Sequence, residues 1–333
     1  MVIDTLRGYF IVWIGLYNTF AVFNAIQPNL ILSSILLFIN DKGWFCLSAI
    51  FGYGFGMLIK RDDVANLAFP KRMLLLFVLG CFNNLFFYGD ILKEYAIIGL
   101  VLFYGRPILA KYPFLSVLFL FIFTLISLYF IPFNMQRAGD LRTIFQENNP
   151  IIANLTYCYH LNFHSLYYAV CFHAEILLMA SIGFMIAFFN LEKLLVIYQS
   201  KLFWGSIFMM LIVLFLALFT IEKGNPLFRI LFFVYILSLS TWFVIVFYKL
   251  FKKYKLMGKL FIPFGRRSLT IYLLQNFVIC TIWLWSQPFV LTHYAIFFLA
   301  YCIIQLLLLF SSRFFVVKGV GFVEMYWKKW SVN

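Results

Sequence analysis

Long apolar segments separated by short polar breaks recur along the whole chain, at residues 7–25, 44–59, 73–88, 91–109, 114–133, 166–189, 203–221, 227–248, 269–288 and 294–312. Segments of this kind approach the length that an α-helix needs to cross a bilayer. The pattern predicts an all-α bundle of about ten transmembrane helices, forming one integral-membrane domain over residues 1–333. Residues 30–39 are apolar but too short to span, and read as a re-entrant or interfacial helix.

The polar breaks are short, with one exception at residues 134–162. That stretch still carries Ile144, Phe145, Ile151 and Leu155, so it reads as the main outer loop rather than as a soluble domain. Asn148-Asn149-Pro150 marks a turn in its middle and predicts a folded loop or a short helix that caps the outer face. No repeat of fixed period is visible.

Composition agrees with the pattern. With 65% hydrophobic residues and a mean hydropathy of +0.97, the polar groups are too few to cover a soluble surface of this size. Lipid is therefore the expected solvent. The net charge of +14 follows the topology: with the N-terminus inside, 20 of the 26 Lys and Arg fall in cytoplasmic positions. Lys42, Lys93, Arg137, Arg142, Lys223 and Arg229 remain outside. This is the distribution of a multi-pass protein with both termini cytoplasmic. Nucleic-acid binding would instead interleave basic residues with exposed aromatics on a soluble face, and is not expected. The basic cluster at residues 249–259 is placed to meet anionic lipid headgroups.

Of the cysteines, Cys46, Cys81, Cys280 and Cys302 fall within apolar segments. No C-x-x-C occurs, so they read as structural filler. The first segment has one positive residue ahead of it and no clear small-x-small cleavage site, so it reads as a retained span rather than a signal peptide.

Polar residues inside such segments are costly to place and are therefore the candidates for function. Arg7 stands at the mouth of the first segment and Asn18 eleven residues on. On one helix the pair would share a face, about 16 Å apart along the axis. Arg266 and Arg267 stand at the mouth of the ninth segment, with Gln275 and Asn276 inside it. In Phe51-Gly52-Tyr53-Gly54-Phe55-Gly56 the glycines lie within an apolar span rather than between a strand and a helix, which excludes a dinucleotide loop. Gly52 and Gly56 share one helix face and predict close helix packing.

Asp90 follows Gly89 and precedes an apolar run, a placement suited to capping the next helix. With Asn83 and Asn84 it is equally suited to line a polar pocket. Glu175 lies inside the sixth segment, where a carboxylate must be neutral, paired or facing a wet cavity. His164 lies eleven residues earlier, on the same face of a continuous helix, and His173 two residues earlier. His160 and His164 are one turn apart but lack carboxylate or cysteine partners, so no metal site is expected.

Four stretches together resemble a known family: Ile3-Asp4-Thr5-Leu6-Arg7-Gly8 leading to Asn18, the glycine run at 51–56, Gly89-Asp90-Ile91-Leu92 with Tyr95-Ala96, and Gly265-Arg266-Arg267-Ser268-Leu269-Thr270-Ile271-Tyr272-Leu273-Leu274-Gln275. They resemble the YeiB-type bacterial multi-pass membrane proteins of unknown function. The tail Gly321-Phe322-Val323-Glu324-Met325-Tyr326-Trp327-Lys328 is similar to that family's closing pattern, with Phe322 where proline is usual. The resemblance covers both ends of the chain and implies a place in the bacterial cell membrane. It also implies a distant link to the transmembrane acyltransferase superfamily, and hence an acyltransferase-like fold. In those enzymes an arginine of the first span is followed by a histidine that serves as base. Arg7 matches the arginine position, and Asn18 stands where the histidine would be. An amide is no general base near neutral pH, so acyl transfer would need another base, with His164, His173, Glu175 or Asp90 as candidates.

Three functions follow as expectations. In the first, the chain binds or moves a small or lipid-linked substrate through a polar cavity, with Arg7, Arg266 and Arg267 drawing anions to the mouth and Asn18, Glu175 and Gln275 lining the interior. In the second it is an acyltransferase, with acyl-CoA held by the same arginines. In the third it is a noncatalytic accessory of a peptide export or immunity system. No cofactor is evident apart from acyl-CoA in the second case, and membrane lipid is the expected partner in all three.

Overall fold

A computed structural model describes residues 2–26, 42–60, 68–131, 149–217 and 225–290, with Gly321, residues 323–326 and a few isolated positions of the tail. The described residues are helical, with no strand among them. In chain order the helices are α1 (Val2–Ile26), α2 (Lys42–Lys60), α3 (Ala68–Asn83), α4 (Leu92–Lys111), α5 (Pro113–Phe130), α6 (Pro150–His164), α7 (His173–Phe188), α8 (Glu192–Ala217), α9 (Pro226–Lys253), α10 (Lys255–Arg266) and α11 (Ser268–Val290). A widened π turn, Tyr168–Phe172, leads into α7. Five segments are long and apolar enough to cross a membrane: Gly43–Lys60, Pro113–Phe130, Tyr168–Phe188, Lys193–Leu216 and Pro226–Lys253. The chain is thus an all-helical protein with the character of a multi-pass membrane protein. The tenth apolar segment, residues 30–39 and residues 134–148 of the long loop lie outside the described residues.

Local signals set the boundaries. Asn149 and Asn225 each accept a backbone N–H two residues on, from Ile151 at 3.0 Å and Leu227 at 2.9 Å. Each precedes a proline at the first helical position, which has no N–H to satisfy. Pro113 likewise starts α5 directly after α4, across Tyr112. The expected short helix in the long loop is present as α6. It lies over the α3–α4 connection, where Asn154 Nδ2 donates to the Leu85 carbonyl at 3.2 Å and Tyr157 meets Tyr88 edge to face.

The helices α2 and α7 form the central pair, and the glycines explain how. A Cβ on Gly52 would lie 1.8 Å from the Ala180 carbonyl oxygen, and one on Gly183 1.8 Å from that of Ala49. Gly56 meets Phe184 and Ala187 on the same face. The backbones therefore touch, as the Gly52/Gly56 spacing predicts. Around this pair α1, α4, α5 and α9 pack, burying Phe10, Phe45, Phe55, Leu102, Ile176 and Phe184. In contrast α8 packs mainly on α9 and, like α5, exposes long apolar rows, the surface that lipid would solvate.

The structure corrects two expectations and adds one helix. The third apolar segment does not continue as helix to residue 88, because α3 stops at Asn83 and residues 84–91 form a turned connection. The basic stretch before Arg266 is itself helical, as α10. Its Gly258, Phe264 and Gly265 are buried, while Lys255, Lys259 and Arg266 are exposed. Gly8 and Gly265 let α10 seat directly on α1, with a Cβ on Gly265 falling 1.7 Å from the Asp4 carbonyl oxygen. Finally, His164 and Glu175 do not share one continuous helix. Ser165 is extended, with φ −112 and ψ 99, and the π turn adds to the break. Counting about 100° per residue therefore fails between them.

Candidate functional site

Two polar regions lie at different depths of the bundle. At one end the start of α1 meets the junction of α10 and α11. Arg7 Nη1 lies 3.8 Å from Asp4 Oδ1, and Arg266 Nε 4.0 Å from Asp4 Oδ2. These groups are partly exposed, and Arg266 largely so, which makes the pairs weak. Arg267 is buried, and its Nε and Nη1 have no hydrogen-bond partner among the described residues. Beside it Glu324 folds onto the start of α11. Its carboxylate accepts from Leu269 N at 2.9 Å, from Thr270 N at 3.1 Å and from the Thr270 hydroxyl. Val323 N donates to the same hydroxyl at 3.1 Å. The carboxylate thus supplies the negative cap that a helix start favours. The three arginines do converge here, but Asp4 and Glu324 already offset part of their charge.

Deeper in, the polar groups form a chain. Asn18 Nδ2 donates to Asn276 Oδ1 at 3.0 Å, both fully buried, with buried Gln275 next to Asn276. One turn earlier on α11, the Tyr272 hydroxyl accepts from Ile91 N at a long 3.4 Å. Ile91 adjoins Asp90, whose two oxygens are fully engaged. Asn83 Nδ2 donates to Oδ1 at 2.6 Å, and Leu92 N and Lys93 N donate to Oδ2 at 3.0 and 3.3 Å. Burial pushes this carboxyl up to about 7, and the Asn83 amide and the backbone donors pull against that. Asp90 therefore caps α4 and joins the polar chain at once. Gly80 makes room, because a Cβ there would stand 2.7 Å from Asp90 Oδ2.

The chain continues into residues that sequence reasoning did not single out. Glu94 is 1% exposed. One of its oxygens accepts from the Tyr168 hydroxyl at 2.8 Å, and the other meets His173 Nε2. The second ring nitrogen of His173, Nδ1, lies 3.0 Å from the Tyr168 carbonyl oxygen in the π turn. Lys93 Nζ lies 3.5 Å from Glu94 Oε1 and donates to Cys158 Sγ at 3.4 Å, above the Tyr168 ring. Buried Lys93 and Glu94 were legible in principle. Glu94 sits inside an apolar segment, and the argument that singled out Glu175 applies to it unchanged.

Of the other candidates, Glu175 is buried on α7. It lies two residues and so about 200° around the helix from His173, away from the Glu94 pair. Its field is felt at Cys171 together with that of Arg229. His164 closes α6, and its side chain is outside the described residues. Among the described residues no three His, Cys, Asp or Glu side chains gather as a metal site. An apolar groove of about 510 Å³ runs between α4 and α5 with α7 as its floor, from Val101 and Leu102 to Tyr112 and Leu115, over Leu177 and Ser181. No family model matches this chain, and no curated protein and no solved structure matches it significantly.

Proposed function

We propose that this chain is a bacterial cell-membrane protein of about ten spans, with both termini cytoplasmic, that binds and moves a small or lipid-linked substrate through its polar interior. One observation carries the reading: buried polar groups follow one another along the interior, from Asn18 and Asn276 to Tyr272, which meets the Ile91 amide beside Asp90, and on through Lys93 to Glu94 and His173. A structural membrane helix has no need of such a row, because each polar group in it raises the cost of insertion. The arginines near Asp4 serve as the entrance for anionic groups, and the groove beside α4 suits an acyl chain. The test is uptake into proteoliposomes, with a panel of amino acids, sugars, nucleosides, short peptides and fluorescent lipid-linked sugars. At least one class should enter faster than into protein-free vesicles and stop entering in Glu94→Gln. Equal rates for every class would overturn the reading.

The same groove favours acyl transfer from acyl-CoA as a second reading, with His173 beside Glu94 as the base in place of Asn18. Purified protein would then bind palmitoyl-CoA and lose that binding in Arg7→Ala. Absence of binding removes this reading and leaves the first intact.

A further inference from the structure

His173 is held at both ring nitrogens, and the two partners differ in kind. The Tyr168 carbonyl oxygen can only accept, so Nδ1 must carry a hydrogen. At Nε2 the partner is the Glu94 carboxyl. A neutral ring with its hydrogen on Nδ1 would present a bare lone pair at Nε2. A carboxylate would present lone pairs in return. The contact is attractive only if one proton lies between them, on the ring as an imidazolium or on Glu94 as a carboxylic acid. Both forms contain the same number of protons.

The rest of the pocket frames this contact. Glu94 Oε1 already accepts from the Tyr168 hydroxyl, with Lys93 Nζ nearby. The charged and titratable groups facing the pair are Lys93 and Asp90 at the start of α4, Tyr168 in the π turn, Cys158 of α6 and Cys81 of α3. Without that proton a bare Nε2 lone pair faces the Glu94 carboxylate away from water, a costly arrangement. The contact that breaks joins α4 to the first residue of α7, directly after the π turn of Tyr168–Phe172, and single π turns inside helices often mark functional positions.

We propose that Glu94 and His173 form a proton-binding site of the bundle interior, holding one exchangeable proton between them, whose release frees the start of α7 from α4. The proposal deepens the transport reading and rests on it for its purpose, since it makes the proton the coupling ion. The proton balance is simple. On release, the proton leaves to water, Glu94 stays a carboxylate, and His173 stays neutral with its hydrogen on Nδ1. On uptake, Nε2 is protonated again and the pair closes. Lys93 Nζ, already beside Oε1, is then the cation that accompanies Glu94 in the open state.

The protein has four histidines, so ring nitrogens can be read one by one in ¹⁵N-histidine-labelled protein in nanodiscs. The His173 signals are those lost in His173→Gln. The expected result is a His173 ring with both nitrogens hydrogen-bearing or sharing a proton at pH 6. Raising the pH should leave hydrogen on Nδ1 only, and Glu94→Gln should show that neutral form already at pH 6. Hydrogen exchange supplies the second readout. Protection at residues 168–173, corrected for intrinsic rates, should fall about tenfold per pH unit above the site's midpoint, the slope for one released proton. In Glu94→Gln it should be low and flat. A His173 ring whose Nε2 neither carries nor shares a proton at pH 6 in the native protein, or an identical titration in Glu94→Gln, overturns the proposal. Both readouts need no substrate, so a protein that carries the proton but transports nothing would refute the transport reading alone.

Discussion

Asn18 gives its amide proton to Asn276 at 3.0 Å, across α1 and α11 and in a fully buried setting. The amide that follows Arg7 along one face of α1 is thus bonded to a neighbouring helix. This contact ties the first helix of the chain to the one that carries Tyr272 and Gln275. Interhelical amide bonds of this sort are worth about 0.6 kcal/mol on average in membrane bundles.

Replacing Asn18 or Asn276 singly by leucine should cost about 1–3 kcal/mol, because each leaves a buried amide without its partner. The double replacement should cost less than the sum. Unfolding in mixed micelles as denaturing detergent rises measures all three, and strict additivity would show that the two amides do not act together.

Gly52→Ala should cost about 3 kcal/mol or more, because its Cβ would stand 1.8 Å from the Ala180 carbonyl oxygen and only a backbone shift can relieve it. Gly105→Ala offers the contrast. Nothing lies within 4 Å of a Cβ there, so the change should be neutral or stabilise by up to about 1 kcal/mol through helix propensity. Melting temperatures of the two variants in one detergent decide the matter.

Asp90→Ala and Asp90→Asn should separate clearly. Alanine strands the Asn83 amide and the N–H groups of Leu92 and Lys93, and should cost about 2–4 kcal/mol, adding a lost cap to buried unpaired donors. Asparagine keeps one oxygen for the two backbone donors, and the Asn83 side chain can rotate to present its own oxygen to the new amide. Its loss should be less than half as large in the same melting experiment.

Glu324→Ala should free the first turn of α11. The amides of Leu269 and Thr270 should exchange with solvent faster, and stability should fall by about 0.5–2 kcal/mol, the usual range for a lost helix cap. Glu324→Gln keeps an oxygen acceptor and should fall between. Exchange rates at Leu269 and Thr270 equal to those of the native protein would show that the carboxylate does not hold this turn.

The periodic and compositional signals announced the helices well. Each of the first nine apolar segments overlaps a described helix, and the Gly52/Gly56 face meets α7 as its spacing implies. The amphipathic α10 was hidden by its own lysines, which read as a basic loop when only charge is counted. The polar site was half visible. Asp90, His173 and Asn18 stood out singly, but pairing is a matter of tertiary geometry. Nothing local says that Glu94 will meet a histidine 79 positions later, or that Asn18 will meet Asn276. The π turn was illegible for a different reason, since it breaks a helix without a proline or glycine to mark it.

The clasp at Glu324 sets an order on how the bundle can be completed. The N–H groups that open α11 find their acceptor 54 and 55 positions further along the chain. While that stretch is still being synthesised, the first turn of α11 has only water, lipid headgroups or Arg267's surroundings to turn to. The junction where α1, α10 and α11 meet therefore closes late, and a chain interrupted before residue 324 leaves the arginine end of the bundle with Asp4 but without the carboxylate that clasps α11.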